Sequence, residues 1–251
     1  SSPVNSMKSA ALDSNRSSNW QLIGWGGLVA GILILSFYSV LAGICINYIF
    51  ISALPDLQLS SEEQFSITTS SASNLLIWHS IFIFVTAGVI ASGIKNGIGR
   101  FVRVLMPLLG FILILMVLNA VINGDFLKGL QFLFRPDFSQ VNPQTFLSAM
   151  GQAFFSLSLG MGAIMTYGAY MSDDQKILNT SITVGGLDTL VALMAGLAIF
   201  PIIFASGLEA NSGWVGLVFI TLSQTFETMF LGQVFGPLFF ILLVIASLSS
   251  S

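Results

Sequence analysis

Long, predominantly apolar runs dominate the sequence and restrict what it can fold into. Two of them, from Leu22 to Phe50 and from Val104 to Ile122, are long enough to cross a hydrocarbon core of roughly 30 Å as a helix. Hydrophobic residues make up 55% of the chain and charged residues 8%, whereas about a quarter of the residues are charged in soluble domains. A soluble globular protein is therefore excluded, and no alternating apolar and polar pattern supports a transmembrane barrel. The sequence predicts an all-α, polytopic helical bundle embedded in the lipid bilayer.

The distribution of basic residues predicts the orientation of this bundle. Spans are expected at about 22–50, 75–94, 104–122, 145–171, 179–206 and from 231 to the end. Basic residues concentrate in cytoplasmic loops of membrane proteins. With a cytoplasmic N-terminal end, six of the 8 basic residues lie inside, and these are Lys8, Arg16, Lys95, Arg100, Arg103 and Lys176. Lys128 and Arg135 then lie outside. We predict a multi-pass protein of the plasma (inner) membrane with a cytoplasmic N-terminal end.

Several function classes find no support in the sequence. The net charge of -3 is spread over loops without a basic block, so nucleic-acid binding is not expected. Cys45 is the single cysteine and is expected to be a small buried hydrophobic residue. No pair of nucleophile and base, metal cluster or phosphate loop is recognisable, so an enzyme is not expected. The chain begins without Met and ends just after an apolar run, which we interpret as an internal fragment of a longer protein.

The span at 145–171 contains a cluster of residues that weaken a helix. Ser156, Ser158, Gly160 and Gly162 lie at its middle, between apolar helix-forming residues. Glycine loses much backbone entropy in a helix, and serine offers the backbone alternative hydrogen bonds. Broken helices of this kind provide substrate and ion sites in secondary transporters. The alternative is an unbroken helix whose small residues permit close packing.

Three further polar features lie within or beside apolar spans, and each has two interpretations. Asp188 is expected well inside its span, where a carboxylate is a functional candidate, although it could instead lie near the cytoplasmic interface. Tyr38 needs a buried partner, which could be a neighbouring helix or a substrate. The hydroxyls after Ala246 offer hard oxygen ligands for a cation, or they bond to carbonyls one turn earlier.

Five segments together resemble one family. GQAFFSLSLGMGAIMTYGAY (151–170) resembles the sixth helix of the neurotransmitter:sodium symporters. ILSFYSVLAG, GIGRFVRVLMPLL, LDTLVALMAGLAIFP and ITLSQTF resemble neighbouring segments in the same order, and AGLAIFP is typical of the prokaryotic amino-acid-transporting branch. The resemblance covers essentially the whole chain. It implies a fold of two inverted five-helix repeats, of which the chain holds the third to eighth helices.

The resemblance also implies a domain organisation and a chemistry. Residues 1–251 form a single transporter domain, in which 1–21 is a cytoplasmic loop. Residues 22–144 hold three helices of the first repeat plus an extracellular loop, and 145–251 hold three helices of the second. The implied function is sodium-coupled symport of an amino acid-type substrate by alternating access. The sequence leaves open whether the protein forms a homo-oligomer.

Individual residues take roles from the matching positions of the family. The substrate-binding residues implied are Ile34, Tyr38, Phe155, Ser156, Leu157, Ser158, Gly160 and Met161. Tyr38 would donate to the substrate carboxylate, and Phe155 would cover the substrate. Met161 departs from the large aromatic residue common at its position.

Two sodium sites are implied, each only partly contained in this chain. Ser156 and Asp188 match ligands of the first ion. Ala246, through its carbonyl, and Ser249 and Ser250, through their hydroxyls, match ligands of the second. A fixed carboxylate at Asp188 would supply the negative charge that chloride supplies in chloride-dependent relatives, so chloride is not expected to be required.

Two other functions remain open. A proton-coupled amino-acid permease of the same architecture would use Asp188 as its proton carrier. A membrane protein that keeps the fold without transporting would show no substrate-dependent stabilisation. Uptake measurements separate all three.

Overall fold

The computed structural model describes residues 2–54, 59–92, 99–169, 171, 175–207 and 213–250, and no strand occurs among them. Five helices in this part of the chain are long and apolar enough to cross a membrane. They are α2 (Gln21–Ala53), α4 (Ala72–Ala91), α5 (Gly99–Asn123), α9 (Ile177–Ala205) and α12 (Gly232–Ser250). Each coincides with an expected span to within a few residues. The all-α membrane fold is confirmed.

The remaining expected span, 145–171, is divided. It contains α7 (Pro143–Ser156) and the short α8 (Ala163–Gly168), with non-helical residues between them. Neither piece is long enough to span a bilayer alone. The broken helix that the serine and glycine cluster predicted is therefore present.

Shorter helices lie outside the spans, and the sequence analysis did not anticipate them. They are α1 (Pro3–Asp13), α3 (Ser61–Ser70), α6 (Phe126–Phe134), α10 (Trp214–Gly216) and α11 (Leu222–Thr228). A π-helical turn at Leu217–Thr221 joins the last two, and 3-10 turns lie at Ser18–Trp20 and Phe138–Gln140. The expected cytoplasmic loop 1–21 thus contains a helix. Lys95, which contributed to the orientation, lies outside the described residues.

Local capping explains why several of these helices begin where they do. Ser60 accepts from the Glu63 N–H while the Ser60 N–H and hydroxyl donate to the Glu63 carboxylate, both at 2.9 Å. This capping box satisfies N–H groups that the first turn of α3 would otherwise leave unpaired. The two hydrogen bonds also hold the pKa of the exposed Glu63 carboxyl below its ordinary value. Asp125 caps α6 in a related way, accepting from the Lys128 N–H at 3.2 Å.

The described helices fall into two compact units. One comprises Ser1–Ser36 and Pro136–Ala192, and the other comprises Phe37–Arg135 and Leu193–Ser251. Helices α2 and α9 contribute to both. We call them the broken-helix unit and the core unit, because the first contains α7 and α8 and the second contains most of the buried side chains.

An aromatic cluster forms the centre of the core unit. Tyr48 of α2 is completely buried, and its ring centroid lies 5.1 Å from those of both Phe219 and Phe240. Tilted and edge-on arrangements at such distances suit the quadrupoles of aromatic rings. Helices α5 and α12 pack along each other beside this cluster, with Met116 of α5 also buried. The end of α12, where the second ion site is predicted, belongs to this core unit.

Candidate functional site

The break between α7 and α8 begins directly after Ser156. Ser158, Gly160 and Gly162 have φ angles of 53°, 87° and 78°, in the left-handed region that ends a right-handed helix. The Leu159 N–H still bonds to the Phe154 carbonyl at 2.8 Å, which closes the last turn of α7. Gly162 then precedes α8 without a side-chain cap. Glycine adopts positive φ angles without a steric cost, so only Ser158 among these three residues has a conformation that is unfavourable for its side chain.

The start of helix α7 is defined by a proline and a cap residue. Pro143 occupies the first turn, and Asn142 precedes it as the cap residue. The Asn142 carboxamide oxygen accepts from the Thr145 N–H at 3.1 Å, and the Thr145 hydroxyl oxygen accepts from the Asn142 N–H at 3.2 Å. A proline at the first helical position costs no hydrogen bond. These contacts fix the first turn, and α7 then continues to Ser156.

Ser156 and Asp188 form a hydrogen bond within the broken-helix unit. The Ser156 hydroxyl lies 2.7 Å and 2.6 Å from the two carboxylate oxygens of Asp188 and donates to that carboxylate. The two residues are 32 positions apart in sequence and lie on α7 and α9. This contact places a carboxylate directly beside the end of α7.

Asp188 lies deep within its helix. Helix α9 begins at Ile177, about three turns earlier, and continues for more than four turns after Asp188. The side chain is half-buried. The interpretation of Asp188 as an acid well inside the membrane, rather than one at the cytoplasmic interface, stays a prediction, because it depends on where α9 lies in the bilayer. A carboxylate inside the bilayer would need a polar or cationic partner, and the Ser156 hydroxyl is such a partner.

The broken-helix unit contains most of the other substrate-site candidates. The broken-helix unit contains Ile34 on α2, Phe155 on the last turn of α7, and all candidates of the unwound segment. Those of the unwound segment are Leu157, Ser158, Gly160 and Met161. Phe155 is 60% exposed, so its ring is available to contact a ligand. Tyr38 is half-buried on α2, one turn after Ile34, and belongs to the core unit.

The second ion-site candidates lie on the last turn of α12. The Ser249 and Ser250 hydroxyls donate to the Ala246 carbonyl at 2.8 Å and 3.0 Å. This is the bonding to a carbonyl one turn earlier that the sequence left as an alternative. It does not remove the ligand potential of the hydroxyls, because each donated proton leaves lone pairs on the oxygen. Three oxygens are therefore gathered on one turn of helix.

The chemistry of the candidate ligand atoms fits a hard cation. Within the part of the chain that the structure describes, no group of three or more His, Cys, Asp or Glu side chains could hold a metal ion. The candidate ligands are hydroxyls, a carbonyl and a single carboxylate. Transition metals favour imidazole and thiolate, whereas oxygens suit hard cations.

Sequence reasoning identified Gly162 as one of the residues that weaken the helix, but it did not include Gly162 among the binding residues and did not identify Gly27 at all. Gly162 has a φ of 78° at the start of α8, and its spacing of two from Gly160 was the available signal. Gly27 lies on α2, and a β-carbon there would contact Met161 backbone atoms. No local sequence pattern marks Gly27, since its importance depends on a contact with a distant segment.

Comparison with known proteins places the chain in a family context. Residues 57–251 match the model of the sodium:neurotransmitter symporter family. An uncharacterized sodium-dependent transporter of Haemophilus influenzae is 35% identical, over 94% of this chain and 53% of its own length. The sodium-dependent transporter YhdH of Bacillus subtilis is also uncharacterized and 35% identical, over 93% of the chain and 52% of its own.

A solved structure agrees with these sequence matches. The crystal structure of MhsT in complex with L-phenylalanine superimposes with a TM-score of 0.86 at 40% identity. The match covers all of this chain and 57% of MhsT. The chain therefore spans about half the length of each of these three relatives.

Proposed function

Because the chain belongs to the sodium:neurotransmitter symporter family, we propose that the whole protein couples inward sodium movement to the uptake of an amino acid across the plasma (inner) membrane. The Ser156–Asp188 contact beside the broken helix is the observation that carries this proposal. It brings a carboxylate to the place where the helix has released its backbone groups. A cation and a zwitterionic substrate can be bound together at such a place.

The substrate is proposed to bind around the unwound segment. Ser156, Leu157, Ser158, Gly160 and Met161 would offer backbone groups and side chains to it. Phe155 would cover it, and Ile34 and Tyr38 of α2 would line the pocket, the Tyr38 hydroxyl donating to the substrate carboxylate. MhsT was crystallised with L-phenylalanine, and we include a large apolar amino acid among the candidate substrates for that reason.

The two proposed sodium sites have different donors. Ser156 and Asp188 would bind the first ion, which the carboxylate would neutralise. Ala246, Ser249 and Ser250 would bind the second through uncharged oxygens. Helices outside this chain would complete both sites. Each ion moving down a potential of 100 mV supplies about 2.3 kcal/mol, enough for substrate accumulation.

Alternating access would occur between inverted repeats. The proposed division places 22–144 at the end of the first repeat and 145–251 at the start of the second. The broken helix then belongs to the second repeat and carries the site through the conformational change. The N-terminal end of this chain is proposed to lie on the cytoplasmic side.

An uptake experiment tests the function. The whole protein in proteoliposomes is supplied with a panel of labelled amino acids that includes L-phenylalanine, under an inward sodium gradient or an equal potassium gradient. We expect sodium, and not potassium, to drive accumulation of at least one of them. Accumulation driven by an acid exterior without sodium would instead establish proton coupling. No uptake and no ligand-dependent stabilisation under either condition would establish a protein without transport activity.

Chloride independence is a separate prediction. A fixed carboxylate at Asp188 supplies the negative charge beside the first ion, so no mobile anion is needed there. Replacing chloride by gluconate on both sides of the membrane should leave the initial rate of sodium-driven uptake unchanged. A loss of uptake that returns when chloride is restored would contradict the proposed role of the carboxylate.

A further inference from the structure

Gly27 lies where the backbone of α2 contacts the unwound segment between α7 and α8. A β-carbon at this position would lie 3.0 Å from the carbonyl carbon of Met161, 3.1 Å from its oxygen and 3.3 Å from the Gly160 oxygen. All three are backbone atoms, so no side-chain rotation would relieve the contact. An added methyl group would require the segment or α2 to shift by a few tenths of an ångström. The close approach of α2 to the unwound segment at this point therefore depends on the absence of a side chain at position 27.

The segment that Gly27 contacts has few hydrogen bonds of its own. Leu159 still bonds back to α7 through its N–H, and the Gly162 carbonyl already accepts from the Thr166 N–H of α8 at 3.1 Å. Between these points, no backbone N–H of the described residues donates to the carbonyl of Gly160 or Met161. Packing against neighbouring helices therefore contributes to the position of these two residues, and Gly27 makes such a contact.

Gly27 also shares a helix face with a proposed pocket residue. Ile34 follows it by seven residues, which is two turns of α2, and residues at that spacing lie on the same side of a helix. The same face of α2 thus carries a pocket residue and the glycine that contacts Met161. Met161 is itself proposed to contact the substrate side chain.

We propose that Gly27 is a positioning residue that sets the depth of the substrate pocket. This inference rests on the proposed function. The glycine allows Gly160 and Met161 to lie close to α2, and a methyl group there would push them away from it and displace the Met161 side chain. A substrate with a large side chain would reach Met161 and be affected, whereas a small one would not reach it.

The neighbouring glycine provides a matched control. Gly26 is also within α2, and a β-carbon there would have no heavy atom within 4 Å. Gly27→Ala and Gly26→Ala make the same chemical change and have the same effect on helix propensity. They differ only in what the new methyl group meets.

Uptake by the whole protein tests the inference. We expect Gly27→Ala to raise the KM for L-phenylalanine about tenfold and that for L-alanine much less, because small displacements of a binding group have large effects on a ligand that contacts it. Gly26→Ala should leave both values unchanged. If the KM for L-phenylalanine divided by the KM for L-alanine is the same in Gly27→Ala as in Gly26→Ala, the inference is wrong.

A second measurement is independent of transport. Amide hydrogen exchange over residues 157–168 should become faster in Gly27→Ala and remain at the wild-type rate in Gly26→Ala. Equal exchange in all three proteins would overturn the positioning role even if no substrate were found. The two proposals can also fail separately. If the wild type shows no sodium-driven uptake but exchange is faster in Gly27→Ala, the proposed function is wrong, while the positioning of the unwound segment by Gly27 is supported.

Discussion

Sodium-driven uptake is expected to be nearly lost when Asp188 is replaced by asparagine. The substitution keeps the size and shape of the side chain and one oxygen near the Ser156 hydroxyl, but it removes the negative charge. Truncating one partner of a charged pair in a site costs about 2 kcal/mol or more. We therefore expect the sodium concentration for half-maximal uptake to rise roughly 30-fold or more, since 1.4 kcal/mol corresponds to a factor of ten.

A matched substitution separates this effect from a general loss of negative charge. Asp13 lies at the end of α1 with an exposed side chain, and Asp13→Asn makes the same chemical change there. It should leave the sodium dependence at the wild-type value. If Asp188→Asn also leaves it unchanged, with normal amounts of folded protein, Asp188 does not bind the first ion.

The sequence predicted the membrane-spanning helices well because their signal is local. A run such as Val104 to Ile122 must be helical in a bilayer, where every backbone group needs an internal partner. Helix α5 accordingly covers this run and extends a few residues beyond it at the N-terminal end. The break at 157–162 could also be predicted, because serine and glycine weaken the helix at the place where they occur.

The short helices were missed although their start signals are present in the sequence. Ser60 and Glu63 have the spacing of a capping box, and Ser2 with Pro3 marks the start of α1. These helices are too short to be recognised as membrane spans. Predicting them requires attention to cap residues instead of hydropathy.

Contacts between distant segments could be predicted only in part. Asp188 was identified by its chemistry and by its resemblance to a family position, and its contact with Ser156 required the fold of α9 against α7. Gly27 carries no chemistry, so nothing in its own neighbourhood of the sequence distinguishes it from Gly26. The difference between these glycines arises from the path of residues more than 130 positions later in the chain.

Removing both hydroxyls at the end of α12 is expected to abolish sodium coupling as well. In Ser249→Ala/Ser250→Ala, the Ala246 carbonyl remains but two of the three proposed oxygen ligands are lost. Each lost ligand to a cation costs about 1.5–3 kcal/mol in the range of hydrogen bonds to charged groups. Together they should raise the sodium concentration for half-maximal uptake by roughly a hundredfold or more.

The same helix offers the control for this double variant. Ser247 is a buried serine of α12 that the proposed ion site does not include. Ser247→Ala removes a hydroxyl of the same kind two positions before Ser249, so any general effect of serine loss on α12 should occur there too. We expect its sodium dependence to match the wild type. If all variants respond to sodium alike, the hydroxyls of Ser249 and Ser250 act only on the Ala246 carbonyl, as helix-internal hydrogen bonds, and the second ion binds elsewhere.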